Sequence, residues 1–145
     1  NHIPFEPKYN RKNWRGNCFS VGLASGFIEP LESTGLYLVA YGVKTLNSYL
    51  QGEFTMEEYN TVYNKEFDVI LDFIVAHYKF SKRDNEYWNR YKDIDIELYK
   101  ENNIFPKRSW DYLLSGFNQV EYKPKMNPIT HIKVRKGKPF YDKVF

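Results

Sequence analysis

Between Leu36 and Tyr78 the apolar residues recur at every third or fourth position, with one break at Gly52. That period confines the stretch to two amphipathic helices. In the first, Leu36, Val39, Ala40, Val43, Leu46 and Leu50 share a face, with Ser33 or Thr34 suited to cap its start and Gly52 to end it. The second opens on Thr55 and Glu58, which have capping-box spacing. Its face of Tyr59, Val62, Tyr63, Phe67, Ile70, Leu71, Ile74 and Tyr78 predicts a helix to about Phe80. Shorter helices are expected over Asn85–Tyr91, Asp95–Asn102 and Ser109–Ser115, the last two separated by Pro106.

The part ahead of these helices reads differently. Residues 1–16 suit one or two short strands or an irregular connection, and Asn17–Gly22 reads as a buried strand entering a turn. Gly26 and Pro30, with Gly22 just ahead, make 23–30 a loop. A strand at Asn17–Gly22 needs a partner, from the N-terminal residues or from sequence outside the chain. The second fits better a chain that opens on Asn1-His2-Ile3-Pro4, which reads as mid-domain sequence and predicts a fragment. Beyond Lys123, prolines and lysines predict an extended tail with a strand at His131–Arg135. The class expected is mostly α with minor β.

At 145 residues the chain makes one domain or the tail of a larger one, and a core is affordable because folding at this size buries roughly 70% of the unfolded surface. The single cysteine, Cys18, allows no internal disulfide and fits a reducing compartment. His2, His77 and His131 lie too far apart to suggest ligand spacing, so no metal site is expected. Lys123, Lys125, Lys133, Arg135, Lys136 and Lys138 concentrate charge near the C-terminus, but a net charge of +3 argues against nucleic acid as the main partner. No apolar run reaches membrane-span length and none resembles a signal peptide, so a cytoplasmic protein without membrane partners is expected.

The chemistry concentrates in residues 22–35, Gly-Leu-Ala-Ser-Gly-Phe-Ile-Glu-Pro-Leu-Glu-Ser-Thr-Gly. Gly22 and Gly26 permit close approach of a flat ligand. The first amides of the following helix, at Thr34 and Gly35, lack intrahelical partners and sit at the positive end of its dipole, where a small anion is favoured. Glu32 stands just before them. The residues alone leave two readings open: an ordinary helix cap with dipole compensation, or an active site.

The same run resembles the signature of flavin-dependent tryptophan halogenases, nearly without interruption. Trp14-Arg15-Gly16-Asn17 upstream resembles that family's Trp-x-x-Asn, and His77-Tyr78, Arg83-Asp84 and Tyr87-Trp88 resemble its later pattern, with Tyr87 in place of Phe. Similarity is strongest at 14–36 and 77–88, and Ser109-Trp110, Gly116 and Tyr122 extend it. The resemblance implies an enzyme that uses FADH2, dioxygen and chloride or bromide to halogenate an electron-rich aromatic such as tryptophan or an indole, supplied with reduced flavin by a separate reductase. It implies Gly22, Leu23, Ala24 and Leu36 against the flavin, the amides of Thr34 and Gly35 on the halide, and Glu32 and Ser33 as catalytic residues, Ser33 linking substrate and flavin pockets. Residues 1–35 would then be the C-terminal edge of a monooxygenase-like α/β FAD domain, and 36–145 a helical substrate cap with a basic tail. Phe105 and Trp110 are candidate substrate contacts, with core packing the favoured role for each. His77 reads as a hydrogen-bonded structural histidine, and Arg83 and Asp84 as a lock between the second helix and the Tyr87-Trp88 segment. No Gly-x-Gly-x-x-Gly fingerprint is present and no lysine matches the family's catalytic one, so the chain alone is expected to be inactive, its N-terminal half missing. Rival readings are a non-halogenating flavin monooxygenase and a small helical nucleic-acid-binding module.

Overall fold

The computed structural model describes residues 7–100, 102 and 104–121. The expected strand at His131–Arg135, the basic tail and Tyr122 lie outside them. Four two-residue strands precede four helices: β1 (Lys8–Tyr9), β2 (Trp14–Arg15), β3 (Cys18–Phe19), β4 (Gly26–Phe27), α1 (Thr34–Leu50), α2 (Met56–Lys79), α3 (Glu86–Asn89) and α4 (Lys107–Gly116). The chain is thus mostly α with minor β.

Helix α2 is the spine. Its start carries the full capping box: the Glu58 amide donates to Thr55 Oγ1 at 3.2 Å and the Thr55 amide to Glu58 Oε2 at 2.8 Å, an arrangement worth roughly 1 kcal/mol. Tyr59, Tyr63, Phe67, Ile70 and Ile74 are buried as their spacing predicts, and Phe73 and Ala76 join them. Trp14 packs on one end of this column, against Tyr49, Phe19 and Tyr59. Asn60 clamps the Trp14 backbone, accepting from its N–H at 2.9 Å and donating to its carbonyl at 3.1 Å. At the other end Phe105 stacks on Phe73 at 3.8 Å, and Trp110 meets Phe73 edge-on at 4.9 Å.

Helix α1 runs over the expected residues but turns a different face inward. Leu38, Gly42 and Thr45 are buried, whereas Leu36, Val43 and Leu50 are exposed. The reason lies in the rings of α2. A Cβ on Gly42 would stand 3.3 Å from the Tyr63 ring and 3.6 Å from the Tyr59 hydroxyl, so the small-residue side of α1 is the one that admits these tyrosines. Tyr37 donates a hydrogen bond to the buried Glu66, tying the same side to α2.

The strand expected at Asn17–Gly22 is reduced to Cys18–Phe19, with Cys18 exposed. Its partner is β2, antiparallel, in register Trp14↔Phe19 and Arg15↔Cys18, so the neighbour comes from the N-terminal residues and not from outside the chain. The loop of 23–30 also carries structure: a 3-10 turn at Gly22–Ala24, then β4 paired antiparallel with β1. Gly26 is dictated by that pairing, since a Cβ there would lie 2.4 Å from Tyr9 Cβ and 2.9 Å from Phe67 Cζ.

No helix forms among the described residues of 95–102. Distant side chains take one carbonyl within the segment and one just ahead of it: Trp110 Nε1 donates to Lys100 O at 2.7 Å and Lys79 Nζ to Ile94 O at 2.7 Å. Tyr99 adopts a left-handed conformation at φ 60°, which ends helical propagation. Arg83 lies 4.8 Å over the Trp88 ring and Asp84 accepts from Asn89 at 2.9 Å, the lock expected beyond α2.

Gly26→Ala is expected to lower stability by about 1–3 kcal/mol through overpacking, measured by denaturant unfolding. Burial holds the Glu66 carboxyl above its usual range, against the opposing Tyr37 hydrogen bond. A raised folded-state value means the protonated form is favoured in the fold. Its contribution is present below the unfolded value and lost as pH rises through the folded one. Glu66→Gln should therefore flatten the pH dependence of the melting temperature above pH ~4.5.

Candidate functional site

The segment joining β4 to α1 turns sharply at two adjacent non-glycine residues in left-handed conformation, Glu32 (φ 60°, ψ 13°) and Ser33 (φ 55°, ψ 29°), before Thr34 enters the helix at φ −59°. Each such residue costs roughly 1–2 kcal/mol, and the rest of the fold must hold it there. The holding contacts are local and firm. The Ser33 amide donates to Pro30 O at 3.2 Å, and Tyr78 donates to the carboxylate of Glu29. Buried Ser25 donates to Gly22 O at 2.7 Å and bonds the Tyr63 hydroxyl at 3.0 Å, fixing the upstream turn to α2. Ser33 occupies the N-cap position without a side-chain capping bond, so the capping expected of it is positional only.

The turn sends its two residues to different depressions. Ser33 lines a groove of about 360 Å³ together with Gly22, Leu23, Gly26, Phe27, Glu29, Pro30, Gly35, Leu36 and Val39. Leu23 and Leu36 are 78% and 76% exposed on its walls, unusually bare for leucines. Gly35 opens onto free space, since a Cβ there would meet nothing within 4 Å. The amides of Thr34 and Gly35 belong to the first turn of α1, where no intrahelical acceptor exists. The Thr34 side chain is buried, with its hydroxyl 3.5 Å from Leu31 O. Ala24 sits in the neighbouring 3-10 turn, exposed but off the groove wall.

Glu32 faces the other way, into a cleft of about 410 Å³ walled by Phe73, His77, Ile104, Phe105, Ser109, Tyr112 and Leu113. Its Oε1 lies 3.8 Å from His77 Nε2. His77 Nδ1 is 2.9 Å from the Phe73 carbonyl, and a carbonyl only accepts, so Nδ1 carries the hydrogen. His77 therefore has the structural bond expected of it and also faces the cleft. Phe105 presents an edge to the cleft while stacked on Phe73. Trp110 is fully buried, does not line the cleft and uses its indole N–H on Lys100 O, which makes it core. Of Ser109, Tyr112 and Leu113, one face of α4, only Ser109 was noted in the sequence, and not as a site residue; their i, i+3, i+4 spacing was the available signal.

The structure thus brings Glu32, Ser33, Gly35, Gly22, Leu23 and Leu36 to one junction and adds Phe105 and His77 from elsewhere in the chain. Ala24 and Trp110 stand outside it.

The tryptophan 6-halogenase ThaL of Streptomyces albogriseolus is 37% identical over 101 residues, 66% of this chain and 19% of ThaL. The tryptophan 7-halogenase RebH of Lentzea aerocolonigenes is 38% identical over 101 residues, with the same coverage. The chain therefore spans about a fifth of the length of these relatives. Among solved structures, Tar14, a tryptophan C-6 flavin-dependent halogenase from taromycin biosynthesis, superposes with a TM-score of 0.70 at 28% identity, over 84% of this chain and 30% of Tar14. The tryptophan halogenase of Shewanella frigidimarina gives 0.68 at 27% identity, over 86% of this chain and 28% of that one. The tryptophan halogenase family profile matches residues 1–130, and the chain belongs to the tryptophan halogenase family.

Proposed function

We propose that this chain is the C-terminal, substrate-side portion of an FADH2-dependent halogenase acting on an electron-rich aromatic ring, such as that of tryptophan or an indole. Residues 1–35 would form the edge of its flavin domain and 36–145 its helical cap with a basic tail. The observation that carries this reading is the left-handed pair Glu32-Ser33, which puts a serine and a helix start on one groove and a carboxylate in a separate aromatic cleft.

The groove residues fit FAD. Leu23, Leu36 and Val39 offer apolar walls for a flat ring, and Gly35 leaves its amide unscreened by any side chain. When bound, reduced FAD would supply the two electrons that bring dioxygen to the peroxide level, an oxidant able to take two electrons from the halide. The chain's own groups would do the rest. Leu23 and Leu36 would exclude water from the ring, with Gly22 beside them. The amides of Thr34 and Gly35, at the positive end of α1, would hold chloride or bromide. Ser33 would bridge the two depressions. Glu32, at the mouth of the cleft, would stabilise the positive charge that develops on the substrate ring and accept the proton the ring loses. Phe73 and Phe105 would flank that ring. On this reading a separate reductase delivers the reduced flavin, and turnover needs the flavin-holding part of the protein joined to this chain.

In that joined enzyme Glu32→Gln is expected to slow halogenation by about 10²–10³-fold while leaving flavin affinity unchanged, followed by product mass spectrometry and flavin fluorescence. Equal turnover would count against the carboxylate's role. A product that forms without chloride or bromide and carries oxygen instead of halogen would favour a non-halogenating monooxygenase. In the chain itself, titrating bromide should shift the Gly35 and Thr34 amide resonances in 1H–15N spectra, and a sulfate control of equal ionic strength should not.

A further inference from the structure

We propose that His77 is the proton relay of the site: it receives from Glu32 the proton that the carboxylate takes from the substrate ring, and so returns Glu32 to its charged form for the next turnover. This rests on the reading of Glu32 given above and extends it to a second residue.

The geometry is specific. The Phe73 carbonyl, one helical turn back, binds His77 Nδ1–H at 2.9 Å and fixes the tautomer. The lone pair is then on Nε2, the nitrogen 3.8 Å from Glu32 Oε1. The ring is held edge-on against Phe73 at 5.2 Å, so it cannot swing away without losing both contacts. Glu32 is 48% exposed and His77 23%, so the more mobile carboxylate closes the remaining distance, as catalytic contacts commonly do once substrate is bound. Nearby, Tyr112 from α4 is the other titratable residue on the cleft wall, and its hydroxyl accepts from Arg108 at 2.6 Å.

The proton balance is simple. The carbon bearing the new substituent releases its hydrogen as a proton to Glu32, and the C–H electron pair returns to the aromatic ring. Glu32 passes that proton to Nε2, giving an imidazolium whose Nδ1–H stays on Phe73 O. Solvent at the open cleft then takes the proton from Nε2. A histidine serving the helix alone would have no reason to aim its free nitrogen at this carboxylate.

Two measurements test the relay. In the chain itself, the imidazole nitrogens of His77 are followed by 15N NMR beside those of His2 and His131. Glu32→Gln should move the His77 Nε2 resonance, which faces the carboxylate at 3.8 Å, and leave those of the other two histidines in place. An unchanged His77 Nε2 resonance overturns the pairing. In the joined enzyme, His77→Gln keeps a donor for the Phe73 carbonyl but has no proton acceptor. It should lower kcat about tenfold or more with little change in KM. His77→Ala should regain turnover on addition of free imidazole. Full activity of His77→Gln with an inactive Glu32→Gln would sink the relay and leave the carboxylate's role standing. Full activity of Glu32→Gln would remove the reading on which the relay rests.

Discussion

The Tyr63 side chain joins the three parts of the molecule on which the site depends. Its ring packs against Gly42 of α1, where a Cβ would stand 3.3 Å away. Its hydroxyl sits 3.0 Å from Ser25 Oγ, whose own hydrogen is committed to Gly22 O, so Tyr63 is the donor to Ser25. The Leu38 carbonyl, at 3.4 Å, takes a weaker share of the same hydrogen. Burial pushes the phenol up and keeps it a neutral donor. One residue of α2 thus sets the distance to α1 and the position of the turn that precedes the groove. With Tyr9 stacked on Phe67 at 4.2 Å and bonded to Asp68 at 2.6 Å, the short strands become an extension of the helix core and need little stability of their own.

That support explains how the segment before α1 tolerates two successive left-handed residues without glycine. Neither Glu32 nor Ser33 gains a capping bond in exchange. What the conformation achieves is directional: adjacent side chains leave the backbone toward different depressions, separated by the thickness of one strand of chain. A regular helix start would have placed Glu32 and Ser33 about 100° apart on one surface. The strained turn divides the groove from the cleft.

The extents of α1 and α2 were legible because they follow from local chemistry. The Thr55/Glu58 box and the stop at Gly52 act within one turn of chain. The inward face of α1 was not legible, because its leucine–valine stripe is the more hydrophobic one and only the bulk of Tyr59 and Tyr63 makes the Gly42 side fit. The segment from Asp95 was misread for a related reason: Trp110, from α4, claims its Lys100 carbonyl, and Lys79, from α2, the Ile94 carbonyl just ahead of it. Seeing that requires knowing what lies beside it.

The run from Gly22 to Gly35 stood out as a candidate site only through its family likeness, since its residues alone leave an ordinary helix cap equally open. Where Glu32 points was decided by tertiary structure alone. His77 lies 45 positions further along the chain and Phe105 a further 28, and no periodicity connects them to the loop. They meet because α2 is long enough to carry His77 back to the turn and because Phe105 stacks on Phe73 one turn below it. Local pattern determined which segments are rigid; long-range packing determined which of their side chains face one another.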